Sequence, residues 1–211
     1  MKQKIGVLGA GTWGTALARL LAVNGHDVTM WSALPEELKS MATTHRHPNL
    51  PGMELPSDMH YTADIAEICT GRDLLVFAVP SPFVRSTAKK AAKHIPDGQV
   101  IVEVAKGIEE KTLMTMSEII EDELAKVPGH ENCKVAALSG PTHAEEVARD
   151  LPTLIGADLA QETIDYADKI YLEFGADEHI EGIGNEEKVR RIRARAIKAG
   201  LKLVDCPIRH M

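Results

Sequence analysis

Ile5-Gly6-Val7-Leu8-Gly9-Ala10-Gly11-Thr12-Trp13-Gly14-Thr15-Ala16-Leu17-Ala18 joins a short apolar strand to an amphipathic helix through three spaced glycines. A strand-to-helix turn accepts phosphate only where the backbone comes close and the unpaired amides of the first helical turn point at the anion. In that pattern Gly9 permits the tight turn, Gly11 admits a pyrophosphate to the main chain, and Gly14 lets the helix pack on its own strand. The aligned peptide dipoles add roughly half a positive charge at the helix start. Apolar residues before the turn and Leu17, Leu20 and Leu21 after it supply the flanks that a dinucleotide cradle requires.

Outward from this turn, strand and helix signals alternate to about residue 174. Apolar runs at 4–9, 27–31, 74–79, 99–104, 134–138 and 153–157 are short and rich in Val, Ile and Leu, as buried parallel strands are. Helical patterns fill 13–24, 35–44, 63–70, 83–94, 111–126, 142–149 and 160–172. The expected fold is α/β: a Rossmann-type, doubly wound, mostly parallel sheet over residues 1–174. Gly25 and Gly98 stand where helix C-caps belong. The proline-rich segment from His47 to Pro56 is expected to be a loop held in one shape.

Beyond residue 175 the pattern breaks at Gly175, Gly182 and Gly184. A basic helix is expected over 186–199 and a short strand over 201–204, so 175–211 is an atypical C-terminal tail. Residues 185–211 carry eight Lys or Arg against three acids, which reads as a solvated helix face.

The 211 residues are 44% hydrophobic and 26% charged with net charge -7, an ordinary globular composition with no nucleic-acid footprint. No apolar stretch approaches the roughly 18 residues of a membrane span. Met1-Lys2-Gln3 runs straight into the first strand, so a cytoplasmic protein without membrane or nucleic-acid partners is expected. Cys69, Cys133 and Cys206 are odd in number and widely spaced, which argues against a disulfide framework and against a metal site.

In an open parallel sheet, ligands bind beyond the carboxyl ends of the strands. Three further loops fall there: Val79-Pro80-Ser81-Pro82-Phe83, Ala105-Lys106-Gly107-Ile108-Glu109 and Ser139-Gly140-Pro141-Thr142-His143-Ala144. Lys106 offers a cation for a phosphate or a polarised carbonyl oxygen. Ser139, Gly140 and Thr142 open a helix with hydroxyls and amides. His143 is weighed as a catalytic group and set below a merely solvated loop histidine. At the end of the second strand, Trp31-Ser32-Ala33 places Ser32 beside the cofactor but offers neither an acid for a ribose hydroxyl nor an arginine for a phosphate. The choice between NAD and NADP therefore stays open.

Taken together, the glycine turn, Asn49-Leu50-Pro51-Gly52, Val79-Pro80-Ser81, Lys106-Gly107-Ile108-Glu109 and Leu138-Ser139-Gly140-Pro141-Thr142 resemble NAD(P)-dependent glycerol-3-phosphate dehydrogenase of the bacterial type. The resemblance runs in order over residues 1–174. It implies that a nicotinamide cofactor is bound by Gly9, Gly11, Thr12, Trp13, Gly14, Ser32, Phe83, Lys106 and Ala144, and that Lys106, Gly140 and Thr142 reach glycerol 3-phosphate, a small phosphorylated substrate. It also implies hydride transfer interconverting dihydroxyacetone phosphate and glycerol 3-phosphate, in the supply of glycerophospholipid precursors, with Lys106 as a catalytic cation.

The family continues into a helical domain that supplies a general-acid lysine followed by asparagine, an aspartate and an Arg-Asn pair. No Lys-Asn pair occurs here; the asparagines are Asn24, Asn49, Asn132 and Asn185. These residues alone are therefore expected to bind cofactor and to be catalytically incomplete, with apolar surface open to homo-oligomer formation. Two other readings remain: a nucleotide-binding module or sensor without turnover, and a dehydrogenase of the hydroxy-acid or ketopantoate type.

Overall fold

The computed structural model describes residues 2–140, 142–150 and the backbone of 156–158. In chain order the elements are β1 (Lys4–Leu8), α1 (Thr12–Val23), β2 (Asp27–Trp31), α2 (Pro35–Thr44), β3 (His60–Thr62), α3 (Ile65–Cys69), β4 (Leu74–Phe77), α4 (Ser81–Ala91), β5 (Val100–Glu103), α5 (Met116–Ala125), β6 (Lys134–Ser139), α6 (Ala144–Val147) and β7 (Gly156–Asp158). The strands form one sheet in the order β3-β2-β1-β4-β5-β6-β7. Every pairing from β3 to β6 is parallel, and β7 lies antiparallel on β6. Strand order reverses between β1 and β4, the switch point at which such sheets open a crevice.

Alternation along the strands divides the core between the two faces. Ile5 and Val7 of β1 pack with Leu17 and Leu21 of α1, Met30 of β2, and Leu50, Met53 and Leu55 of the proline-rich loop. Leu8 turns the other way and joins Phe77 of β4, Ile101 of β5, Val84 and Ala88 of α4, and Ile119, Ile120 and Leu124 of α5. A sheet buried on both faces needs apolar residues at successive positions, which is why these strands read as continuous rather than alternating runs.

The helix starts show local chemistry at work. Asp64 accepts the Ala66 amide at 2.8 Å to open α3, and Thr115 with Glu118 forms a reciprocal capping box on α5. That box starts α5 at Met116 rather than at residue 111. Residues 111–115 instead carry Leu113 in a left-handed turn, closed by a bridge between Ile108 and Thr115.

Three further expectations change. The strand β3 was not foreseen, because three residues, His60-Tyr61-Thr62, are too few for a hydrophobic period to register. The run at 153–157 contributes an antiparallel edge strand at Gly156–Asp158, not a parallel one. Gly98 has φ +76 but sits in the turn leading into β5, past the end of α4. The expected helices over 160–172 and 186–199, the strand over 201–204 and Cys206 lie outside the described residues.

The loop over 47–56 is fixed, as its three prolines imply. The Asn49 amide donates to His47 Nδ1 at 3.1 Å, so the other ring nitrogen, Nε2, carries the proton and donates to the Ala10 carbonyl at 3.2 Å. Burial holds the His47 pKa below the ordinary imidazole value, consistent with this neutral ring. The loop thereby grips the glycine turn directly. Among the described residues no helix is long and apolar enough to cross a membrane.

Phe77, where β4 meets α4 and α5, is the largest of the fully buried side chains. Phe77→Ala is expected to cost about 3–5 kcal/mol, read as a lowered midpoint in urea unfolding.

Candidate dinucleotide and phosphate site

Two of the three glycines in the turn are demanded by the protein's own backbone. Gly9 has φ +123, and a β-carbon there would stand 2.5 Å from the Ala78 carbonyl oxygen. A β-carbon on Gly14 would stand 2.2 Å from the Gly9 carbonyl oxygen, so the helix could not lie against its strand. Gly11 is different. Its φ of -71 suits any residue, and a β-carbon there would meet nothing within 4 Å.

The space before Gly11 is thus open to a ligand rather than filled by protein. α1 also has no side-chain cap and no acid in its first turn. Its leading amides and dipole therefore face this opening without an internal anion, and the donor set fits a pyrophosphate.

The remaining loops meet this turn along one edge, because β1, β2, β4, β5 and β6 all run the same way. Thr12 and Trp13 form the first turn of α1, with Trp13 partly buried against the core. Ser32 is buried just past β2; its hydroxyl accepts the Leu34 amide at 3.1 Å and donates to Glu37 at 3.3 Å. Phe83, 59% exposed, stands in the first turn of α4 with its ring available.

Lys106 and Thr142, expected to act together, are in contact: Lys106 Nζ donates to the Thr142 carbonyl at 3.2 Å. Ala144 is buried at the first position of α6. The expected helix start at residue 142 is corrected, since α6 begins at Ala144 and the Thr142 amide is turned onto the Gly140 carbonyl at 2.9 Å. The Thr142 amide therefore does not point outward as an anion donor. His143 is exposed beside α6, without a side-chain capping bond.

Two carboxylates anchor the Lys106 turn, and neither was assigned a role from the sequence. Beyond the lysine, Glu109 takes both arms of the Arg85 guanidinium, at 2.7 Å each, while Arg85 also reaches Asp122 at 2.5 Å and Glu123 at 2.7 Å on α5. The guanidinium pulls the Glu109 pKa down to about 2. Before the lysine, Glu103, only 4% exposed, closes β5 and accepts the Ala105 amide. Burial pushes its carboxyl up to about 7. A glutamate ending an otherwise apolar strand was the signal available for it, since burying such a residue requires a reason.

Parallel strands in this order, with an uncapped glycine turn at the point of reversal, define a nucleotide-binding domain of the Rossmann type. A family model described as NAD-dependent glycerol-3-phosphate dehydrogenase N-terminus matches residues 4–165, and the chain belongs to that family. The glycerol-3-phosphate dehydrogenase [NAD(P)+] 2 of Lactobacillus delbrueckii subsp. bulgaricus is 61% identical over 152 residues, covering 72% of this chain and 45% of the relative. That of Agathobacter rectalis is 48% identical over 156 residues, covering 74% and 45%. The chain spans about half the length of the curated relatives it matches.

Among solved structures, glycerol-3-phosphate dehydrogenase from Coxiella burnetii superposes with a TM-score of 0.73 at 25% identity, over 83% of this chain and 52% of that one. A UDP-D-ManNAc dehydrogenase from Pyrococcus horikoshii, at 18% identity and a TM-score of 0.66 over 81% and 44% of the two chains, shares the fold.

The glycines separate by test. Gly14→Ala is expected to destabilise the fold by about 1–3 kcal/mol or more, whereas Gly11→Ala keeps the thermal midpoint and loses dinucleotide binding. Calorimetric melting beside NADH titration of both variants checks this.

The raised carboxyl of Glu103 sets a pH dependence. Its folded pKa of about 7 lies above the ordinary 4.5, so its contribution to stability is present below about pH 4.5 and is lost as pH rises through 7. Glu103→Gln is therefore expected to gain stability over the parent at about pH 8 and to gain none at about pH 4, in urea melts at the two values.

Proposed function

We propose that this chain supplies the cofactor-binding half of a glycerol-3-phosphate dehydrogenase acting on a small phosphorylated ketone. The observation that carries this reading is the Lys106–Thr142 contact on the same strand-end edge as the open approach to Gly11. A cation on that edge supports this reading because a phosphorylated or carbonyl-bearing substrate beside the dinucleotide would gain most from it. Family membership and the 61% identical relative support the same reading.

In this proposal Gly9, Gly11 and Gly14 shape the turn, and the amides of Thr12 and Trp13 hold the pyrophosphate. Ser32 lies at the adenosine end. Phe83 and Ala144 border the nicotinamide, while Lys106, Gly140 and Thr142 border the substrate. When held there, the cofactor would supply a hydride to C2 of dihydroxyacetone phosphate, and the alkoxide so formed would need a proton to become glycerol 3-phosphate. Lys106 would set its charge against the oxygen that becomes negative, and Arg85 with Glu103 keeps the lysine's turn in place.

Residues 1–174 make up this domain in our proposal, with 175–211 as a separate tail. The exposed Ile108 and Leu113 offer apolar surface for self-association.

A ketone being reduced needs a proton from a positioned acid, a contribution of about 100- to 10,000-fold. Among these 211 residues no Lys-Asn pair supplies it. The polypeptide of residues 1–211 is therefore expected to bind NADH or NADPH, measured by nucleotide fluorescence, and to oxidise it with dihydroxyacetone phosphate far more slowly than about 10 per second. Turnover at that rate contradicts the catalytic incompleteness. Binding of dinucleotide with no effect of dihydroxyacetone phosphate on it favours a sensor, and absence of dinucleotide binding at about millimolar concentration overturns the reading.

A further inference from the structure

We propose that this chain selects NAD(H) over NADP(H), and that Glu37 is the selecting residue. The inference rests on the dinucleotide reading above and adds which dinucleotide is held.

In a glycine-turn site of this kind the adenosine ribose lies at the end of the second strand, where an acid accepts a hydrogen bond from the 2'-hydroxyl and a cation accommodates a 2'-phosphate. The strand end itself, Trp31-Ser32-Ala33, carries neither. The fold brings an acid there from the first turn of α2. Glu37 Oε2 accepts the Ser32 hydroxyl at 3.3 Å, and Ser32 follows Trp31, whose carbonyl accepts the Gly9 amide at 2.9 Å.

Two bonds tie that strand end and the loop over 47–56 to the glycine turn: the Gly9 amide donates to the Trp31 carbonyl, and the His47 ring is bonded to the Ala10 carbonyl. Strand end, helix and clamped loop thus enclose one corner, and the acid that borders it is exposed to solvent. Leu34, 57% exposed and held by its amide on Ser32, offers an apolar surface for adenine at the same corner.

Among the described residues, the lysine and arginine supplied by α2 and the loop after it, Lys39 and Arg46, each pair with another carboxylate, Glu36 at 2.8 Å and Glu54 at 2.9 Å. A 2'-phosphate adds about -1.5 to -2 charge and only acceptor oxygens. It would face a carboxylate that is itself acceptor-only, and a serine whose proton is already given to that carboxylate. A 2'-hydroxyl, in contrast, has a proton to give.

The test is parallel fluorescence titration of the 211-residue protein with NADH and NADPH at low and high salt. NADH is expected to bind about tenfold or more tightly than NADPH, with the ratio shrinking as salt screens the acid. Glu37→Gln is expected to bring the ratio close to unity and Glu37→Lys to reverse it, both with an unchanged thermal midpoint because the side chain is exposed. NADPH binding as tightly as NADH to the parent overturns the selectivity. A ratio untouched by Glu37→Gln overturns the role of Glu37, and binding of neither dinucleotide to the parent overturns the underlying reading as well.

Discussion

The structure turns on one close approach of backbone to backbone. At the centre of the sheet, Gly9 lies so near the Ala78 carbonyl, and Gly14 so near the Gly9 carbonyl, that a single methyl group at either position would overlap main-chain oxygen. That contact sets the angle at which α1 leaves β1, and so where its amides point. It also brings β4 against β1 at the reversal of strand order, which makes the crevice. The His47 clamp and the Thr15 hydroxyl both converge on the Ala10 carbonyl, at 3.2 Å each. A turn that must stay open to an anion is thereby held from behind.

A different device holds the other side of the crevice. Lys106 stands on a loop, and loops carry function only when something rigid fixes them. Here the fixing groups are charged: Arg85 ties Glu109 to α5, and the Glu103 carboxylate is bent back onto the Ala105 amide. The Arg85 cluster is partly exposed, and its worth lies more in geometry than in stability, since exposed ion pairs contribute little. The price of the second anchor is a buried acid with a raised pKa.

Much of this was legible in the sequence because the governing physics is local. A glycine turn between an apolar strand and an amphipathic helix announces itself within about ten residues, and so do the buried runs that became β1, β2, β4, β5 and β6. The Lys106, Gly140 and Thr142 loops could be placed because strand ends in a parallel sheet share one edge. What was not legible depends on partners distant in the chain. Glu37 carries no signal in the sequence, and only folding sets it against Ser32. Arg85 meets Glu109 across 24 positions, a pairing no periodicity encodes. β3 is three residues long and exists because β2 offers it an edge. The capping box Thr115–Glu118 was readable as a pattern and would have moved the start of α5 to its observed place.

An acidic protein that holds an anionic ligand poses no electrostatic conflict once distances are considered. The net charge of -7 is spread over the whole chain, and beyond a screening length of about 8 Å at physiological salt most of it is not felt in the crevice. What acts there is short-range: peptide dipoles at the start of α1 and one ammonium group at Lys106, both close to where ligand charge would sit. The same reasoning runs in reverse at the adenosine end, where the proposed role of Glu37 needs only one carboxylate close to the ribose. Selectivity between two dinucleotides differing by one phosphate is therefore a question for one corner of the site and not for the charge of the protein.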